Sequence, residues 1–275
     1  MLTKIRTKLA IVILVLTVFF SFAQAAPERI VSLAPSVTEN LFALGAGAQV
    51  VGVTSMCNYP AEAGERVIIG DAFSINLELL LSLEPDLVIG DSTLVQGHLD
   101  QIAELGVPVF AVGPTNIREI QESLILLGDA VGRGPEGREL AEAMQLRLEQ
   151  LAQKAVRPDR PRVFVEIWHD PLTTAGPGSY LDELIVLAGG ENIAGDVENP
   201  WPLFSEELVI ARDPQILILT GFNKEDVLQR PAWQGLTAIQ EGSVYEVDPD
   251  LYARTTPRLL DALEELIRFL DGEQE

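Results

Sequence analysis

Few side chains in this chain could do covalent or metal chemistry. There are two histidines, His98 and His169, and one cysteine, Cys57, among 275 residues. No H-E-x-x-H, C-x-x-C or nucleophile-elbow spacing occurs. Gly45-Ala46-Gly47 and the run from Ala188 to Asn192 end helical patterns rather than opening them. Neither can therefore cradle a dinucleotide phosphate at a helix N-terminus. With so few ligands, a His-rich metal centre is not expected, nor is a resident cofactor. The residue inventory points to recognition without turnover, and the expectation is that the chain is not an enzyme.

The groups suited to recognition are aromatic. Phe, Trp and Tyr make up only 6% of the chain, yet Tyr59, Trp168, Trp201, Phe204, Phe222 and Tyr252 all fall in loops that follow expected strands. Any one of them is equally well explained by core packing; their concentration in those loops points to a cleft for a large, flat, partly apolar ligand. Trp201 stands between Pro200 and Pro202, whose rings stiffen the loop and hold Asn199 and Trp201 extended. Asp250 and Arg254, four residues apart, are able to hydrogen-bond amides or carboxylates at a cleft rim; left to solvent, such a pair contributes little. His169 and Asp170 follow a strand directly. His169 is either an axial metal ligand or a hydrogen-bonding wall residue. Ser36 lies just past a strand end, in a Ser-Val-Thr-Glu capping box that is expected to start the first helix. Thr255 or Thr256 is expected to cap the last.

The elements that must position these groups alternate between strand and helix. Leu87–Ile89 and Ile216–Leu219 are continuous apolar runs, the signature of buried parallel strands. The segments around them look like copies. Glu78 lies seven residues before Pro85, and Glu207 seven before Pro214. Arg29–Gly47 parallels Arg162–Gly190, and Gly106–Gly128 parallels Gly242–Ile267. Each half is therefore expected to be a β/α unit of about four strands. Between them, Gly134–Val156 reads as one long helix: Pro135 suits its first turn, Leu140, Met144, Leu148, Leu151 and Ala155 draw one apolar stripe, and Pro158 stops it. In such sheets ligands bind beyond the C-terminal strand ends. If the halves face each other across the helix, eight loops line one cleft. The domain expectation is an N-terminal lobe over 26–132, the connecting helix over 133–158 and a C-terminal lobe over 159–275.

Residues 1–25 read as a secretory signal peptide: Lys4, Arg6 and Lys8, an apolar run from Leu9 to Phe20, then Ala23-Gln24-Ala25. No Cys stands at the cleavage point, so a lipid anchor is not indicated. The lone Cys57 cannot form an internal disulfide, so the fold must rest on two hydrophobic cores. The formal charge of −22 argues against nucleic acid and anionic membrane as partners and suits docking on a basic partner.

The segments SLAPSVTENLFALGAG, NLELLLSLEPDLVIG, AGGENIAGD, NPWPLFSEELVIARDPQILILTG and DLYARTTPR together resemble the class III periplasmic binding proteins of ABC importers, which capture vitamin B12, ferric siderophores and haem. The likeness runs from about Arg29 to Phe269. It implies two Rossmann-like lobes joined by one long helix that limits hinge closure. It also implies a periplasmic, monomeric protein that delivers its ligand to transmembrane subunits. One acidic residue per lobe would dock on arginines of those subunits, and the matching positions are Glu78 and Glu207. The Asn-Pro-Trp-Pro segment with Asp250 and Arg254 most resembles the vitamin B12-binding branch. By that resemblance Tyr59, Trp201, Asp250 and Arg254 would contact the corrin ring and its amides. Tryptophans of that branch are replaced here by Ala72–Phe73, where Phe73 substitutes for one, and by Asp91. Trp168 and Leu172 stand near phenylalanine positions. The expected ligand-binding set is Ser36, Tyr59, Phe73, Trp168, His169, Trp201, Asp250, Tyr252 and Arg254. The ligand is expected to be cobalamin or another corrinoid, with ferric siderophore or haem as the alternative.

Overall fold

The computed structural model describes residues 26–273; the expected signal peptide lies outside them. Five strands, β1 (Ile30–Ser32), β2 (Val50–Val53), β3 (Val67–Ile68), β4 (Leu87–Asp91) and β5 (Val109–Val112), form a sheet in the order β3-β2-β1-β4-β5. Every pairing is parallel. Val88 and Ile89 of central β4 are fully buried, which is why that strand is continuously apolar rather than alternating. Helices α1 (Pro35–Ala43), α2 (Leu77–Ser82), α3 (Ser92–Glu104) and α4 (Ile117–Ala130) connect these strands and follow them. Helix α5 (Gly134–Lys154) then leads to the second sheet.

That sheet contains β6 (Arg162–Glu166), β9 (Glu191–Asn192), β10 (Ile216–Thr220) and β11 (Val244–Val247), all parallel in the order β11-β10-β6-β9. A small antiparallel hairpin, β7 (Trp168–His169) and β8 (Leu172–Thr173), projects after β6. Helices α6 (Tyr180–Leu187), α7 (Glu206–Arg212), α8 (Lys224–Leu228), α9 (Thr237–Glu241), α10 (Pro249–Tyr252) and α11 (Leu259–Leu270) complete the lobe. The architecture is two Rossmann-like lobes joined by one long helix.

The two halves repeat each other down to individual contacts. Glu84 and Asp213, each directly before its proline, both take left-handed backbone angles, with φ of 47° and 45°. After those prolines, Asp86 N donates to Arg29 O and Gln215 N to Arg162 O, at 3.0 and 2.8 Å. The bond is returned each time: Arg29 N donates to Asp86 Oδ1 and Arg162 N to Gln215 Oε1. Each arginine also donates through Nε to a carbonyl at the end of the preceding helix, Leu83 O and Arg212 O. Such bonds satisfy carbonyls that a helix C-terminus leaves open.

Two expectations are corrected and one is refined. The capping box at Ser36–Glu39 does not form. Helix α1 starts at Pro35 with Ala34 as its uncapped N-cap, and Glu39 is held instead by Arg254 and Arg258. A comparable box forms at α4: Asn116 Oδ1 accepts from Glu119 N, and Glu119 Oε2 accepts from Thr115 N. Helix α11 starts at Leu259, with Arg258 rather than a threonine at its N-cap; Thr256 Oγ1 accepts from Arg258 N. Lastly, each sheet keeps its own apolar core, as expected, but the lobes are not independent. One apolar cluster joins Ile117, Ile120 and Leu124 of α4 and Ala141, Met144 and Leu151 of α5 to Leu184 of α6 and Leu263 and Leu266 of α11. The stripe read from the sequence of α5 thus cements both lobes, with Leu140 and Leu148 packed at its margin.

Candidate functional site

A cavity of about 440 Å³ opens between the lobes. The first sheet contributes Pro35 and Ser36 after β1, Thr54 and Met56 after β2, Ala72 after β3, Asp91, Thr93 and Leu94 at the end of β4, and Pro114 and Thr115 after β5. The second contributes Ile167 after β6, Tyr180, Trp201, Asp250, Ala253, Arg254 and Thr255. Strand order reverses at β1/β4 in one sheet and beside β6 in the other, so the cavity lies where the switch points of two open sheets face each other.

The aromatic wall is built by a loop folded over a glycine. Trp201 N donates to Asn199 Oδ1 at 2.9 Å, Gly176 N to Pro200 O at 3.0 Å, and Thr174 N to Pro202 O at 3.2 Å. A Cβ at Gly176 would lie 2.2 Å from Asn199 O, so only glycine lets the loop approach. The Trp201 indole, 37% exposed, packs edge-on against the Tyr180 ring, with centroids 5.3 Å apart. Tyr180 itself is set by Ser179, which caps α6 through Asp182 N, and its own N–H donates to Thr115 O across the cleft at 2.7 Å. Burial, and secondarily the Asp91 carboxylate, push the Tyr180 hydroxyl well above its ordinary pKa.

The polar rim is a buried ion cluster. Arg254, 5% exposed, donates to Glu39 Oε1 at 2.5 Å and Met56 O at 3.2 Å, and pairs with Asp250 Oδ2 at 2.6 Å. Arg258 reaches Glu39 at 3.2 Å, and Asn58 Nδ2 donates to Asp250 Oδ2 at 2.8 Å. Asn40 Nδ2 donates to Thr255 O at 3.1 Å. The Asp250–Arg254 pair is therefore no solvated surface pair; it latches one lobe to the other.

Of the expected ligand-binding residues, the cavity gathers Ser36, Trp201, Asp250 and Arg254. The other five lie elsewhere. Tyr252 is 1% exposed and belongs to the core; two residues on from Asp250 in a helical turn, its side chain faces the opposite way, and its hydroxyl donates to Ala262 O. Tyr59 lines a separate groove of about 610 Å³ beside Phe42 and Arg66, where the Arg258 guanidinium sits 3.8 Å over its ring. Phe73 is 93% exposed on a turn held by Asp71, and its neighbour Ala72 takes the place at the wall. Trp168 stands on the β7–β8 hairpin against Phe222. His169 is drawn to Glu166 at 3.3 Å, a buried carboxylate also held by both terminal nitrogens of Arg230. Met56 and Thr115 enter the site without having been expected there as contacts, and Tyr180, a candidate axial ligand under the haem alternative, lines it as well. The Ser179-x-x-Asp182 cap was the available sign that Tyr180 opens a helix at a strand's C-terminal edge. Glu78 and Glu207 each occupy the second position of a side-chain-capped helix, α2 and α7, and both are exposed.

Residues 30–251 match the family described as periplasmic binding protein, and the chain belongs to that family. Its relatives include a vitamin B12-binding protein of Yersinia pseudotuberculosis, 32% identical over 94% of this chain and 91% of that one. Another is an uncharacterized ABC transporter substrate-binding lipoprotein, YvrC, of Bacillus subtilis, 32% identical over 87% of this chain and 79% of that one. The crystal structure of the periplasmic vitamin B12 binding protein BtuF of Vibrio cholerae superposes with a TM-score of 0.77 at 29% identity, covering 90% of this chain and 99% of the other. The periplasmic heme-binding protein RhuT from Roseiflexus sp. RS-1, in apo form, superposes with a TM-score of 0.79 at 31% identity, covering 90% and 99%.

Proposed function

We propose that this protein is the solute-capturing component of an ABC importer. It takes a corrinoid of the cobalamin type into the inter-lobe cavity and hands it, chemically unchanged, to transmembrane subunits. The observation that carries the reading is the cavity: a Trp201–Tyr180 wall for the face of a ring, and a rim where Asp250 and Arg254 are fixed to meet amides. Full-length likeness to a vitamin B12-binding relative supports it. Export by the leader and release into the periplasm belong to the same reading, as does docking through Glu78 and Glu207.

Haem is the second reading, favoured by the likeness to a heme-binding structure. Among the described residues Tyr180 is the one phenol or imidazole lining the cavity, so it is the axial ligand this reading would have to use, and its side chain is already packed against Trp201. His169, Tyr59 and Tyr252 are not at the wall. Titration of the purified mature chain with cyanocobalamin, followed by equilibrium dialysis, tests the proposal. Saturable binding to one site is expected; no binding at micromolar ligand overturns it. A Soret shift with hemin that is lost in Tyr180→Phe would favour haem instead.

A further inference from the structure

Asp91 ends β4 and caps α3. Its Oδ1 is used within the chain, accepting from Thr93 N at 2.8 Å and Thr93 Oγ1 at 2.6 Å. Its Oδ2 has no donor and no cation partner among the described residues. The side chain is nonetheless 95% buried, being 5% exposed, and it lines the cavity. The remaining charges there balance: Glu39 and Asp250 are matched by Arg254 and Arg258. Asp91 therefore leaves the cavity with one uncompensated negative charge and one free acceptor. That open oxygen lies at the cavity wall, where a donor carried by a ligand can meet it. The Tyr180 hydroxyl responds to the same charge, since Asp91 adds to the effect of burial in raising its pKa.

We infer that Asp91 is a charge filter: its free oxygen accepts from amide or ammonium N–H groups of the ligand and repels ligands that present a carboxylate at that point. The inference rests on the corrinoid reading and sharpens it. Ring ligands edged with amides are admitted, whereas anionic tetrapyrroles edged with acids are rejected. An ionised carboxylate is acceptor-only, and two of them facing each other in a closed site repel.

The test compares dicyanocobinamide, edged with amides, and dicyanocobyrinic acid, the same ring edged with acids, on the mature chain and on two variants. Asp91→Asn and Asp91→Ser both keep an acceptor for Thr93 N, as good N-cap residues, and both remove the charge. The native chain should prefer the amide ring by about tenfold or more, the effect of one charge-assisted hydrogen bond. Both variants should lose most of that preference, chiefly by gaining affinity for the acid. Equal binding of the two rings by the native chain overturns the filter and leaves the corrinoid reading standing. A preference that survives in a folded variant also overturns it. Failure of both rings to bind removes the corrinoid reading and the filter with it. If one variant does not fold, the other carries the comparison.

Discussion

Trp201 can face a ligand only because a glycine and two prolines leave its loop a single conformation. Its indole is already packed against Tyr180 in a T-shaped contact, so little side-chain freedom remains to be lost on binding. Removing it should weaken corrinoid binding by roughly tenfold, since an aromatic pair contributes about 0.5–1.5 kcal/mol beyond the area it buries. Trp201→Ala titrated with cyanocobalamin should show this, and Trp201→Phe should retain most of the affinity. This residue was legible in the sequence because prolines fix backbone angles wherever they occur. Asp250 and Arg254 were legible as a pair but not as a buried one, because their partner Glu39 is 215 residues away from Arg254 and no local pattern announces it. Tyr252 and Tyr59 misled for a related reason. A loop assignment says which end of a sheet a residue occupies, not which side of the loop its ring faces.

At the scale of elements, two devices hold the site. The first is the α4 cap. The backbone N–H of Thr115 is the main cause of a lowered Glu119 pKa, followed by the Thr115 hydroxyl. Because the folded-state value is depressed, the stabilisation is present above the ordinary glutamate pKa of about 4.3 and is lost as pH falls through the lower folded value. Glu119→Gln should cost about 1 kcal/mol at pH 7, and urea curves should converge with those of the native chain only as pH falls through that lower folded value. Since Thr115 lines the cavity and accepts from Tyr180 N, the cap also fixes part of the wall. The second device is the arginine latch between α1 and the α10–α11 segment. Arg254→Ala leaves Glu39 buried without its closest partner, a change that typically costs about 3–5 kcal/mol; a loss of stability of that size is expected by urea denaturation, with weaker ligand binding. Alternating strands and helices, the long helix and the duplicated plan could all be read from periodicity and from the Glu-to-Pro spacing. The caps could not be assigned as surely. A Ser-x-x-Glu string becomes a capping box only if no distant arginine claims the glutamate, and at Glu39 one does.

For the whole molecule, the apolar cluster that α4 and α5 share with the second lobe means that swinging the lobes apart would expose apolar surface. Under the proposed function, recognition by an importer would then rest on fixed surface charge. Glu78 and Glu207 are the duplicated candidates. Helices that precede parallel strands run antiparallel to them, so both acids stand at the edge of their sheets from which the strands empty into the cleft. Glu207 is kept ionised by its own backbone N–H and by Ser205, which lower its pKa. Both lie apart from the residues lining the cavity, and exposed charges at a rim steer and orient a partner without altering a separate pocket. Glu78→Arg and Glu207→Arg should therefore bind cyanocobalamin as the native chain does, yet fail to support its uptake when reconstituted with the cognate importer. The double variant should be no better than either single one. The native chain's association with the importer should weaken as salt rises, because surface charges are screened beyond about 8 Å at physiological ionic strength. Full uptake by either charge-reversed variant would move the docking surface elsewhere on the lobes.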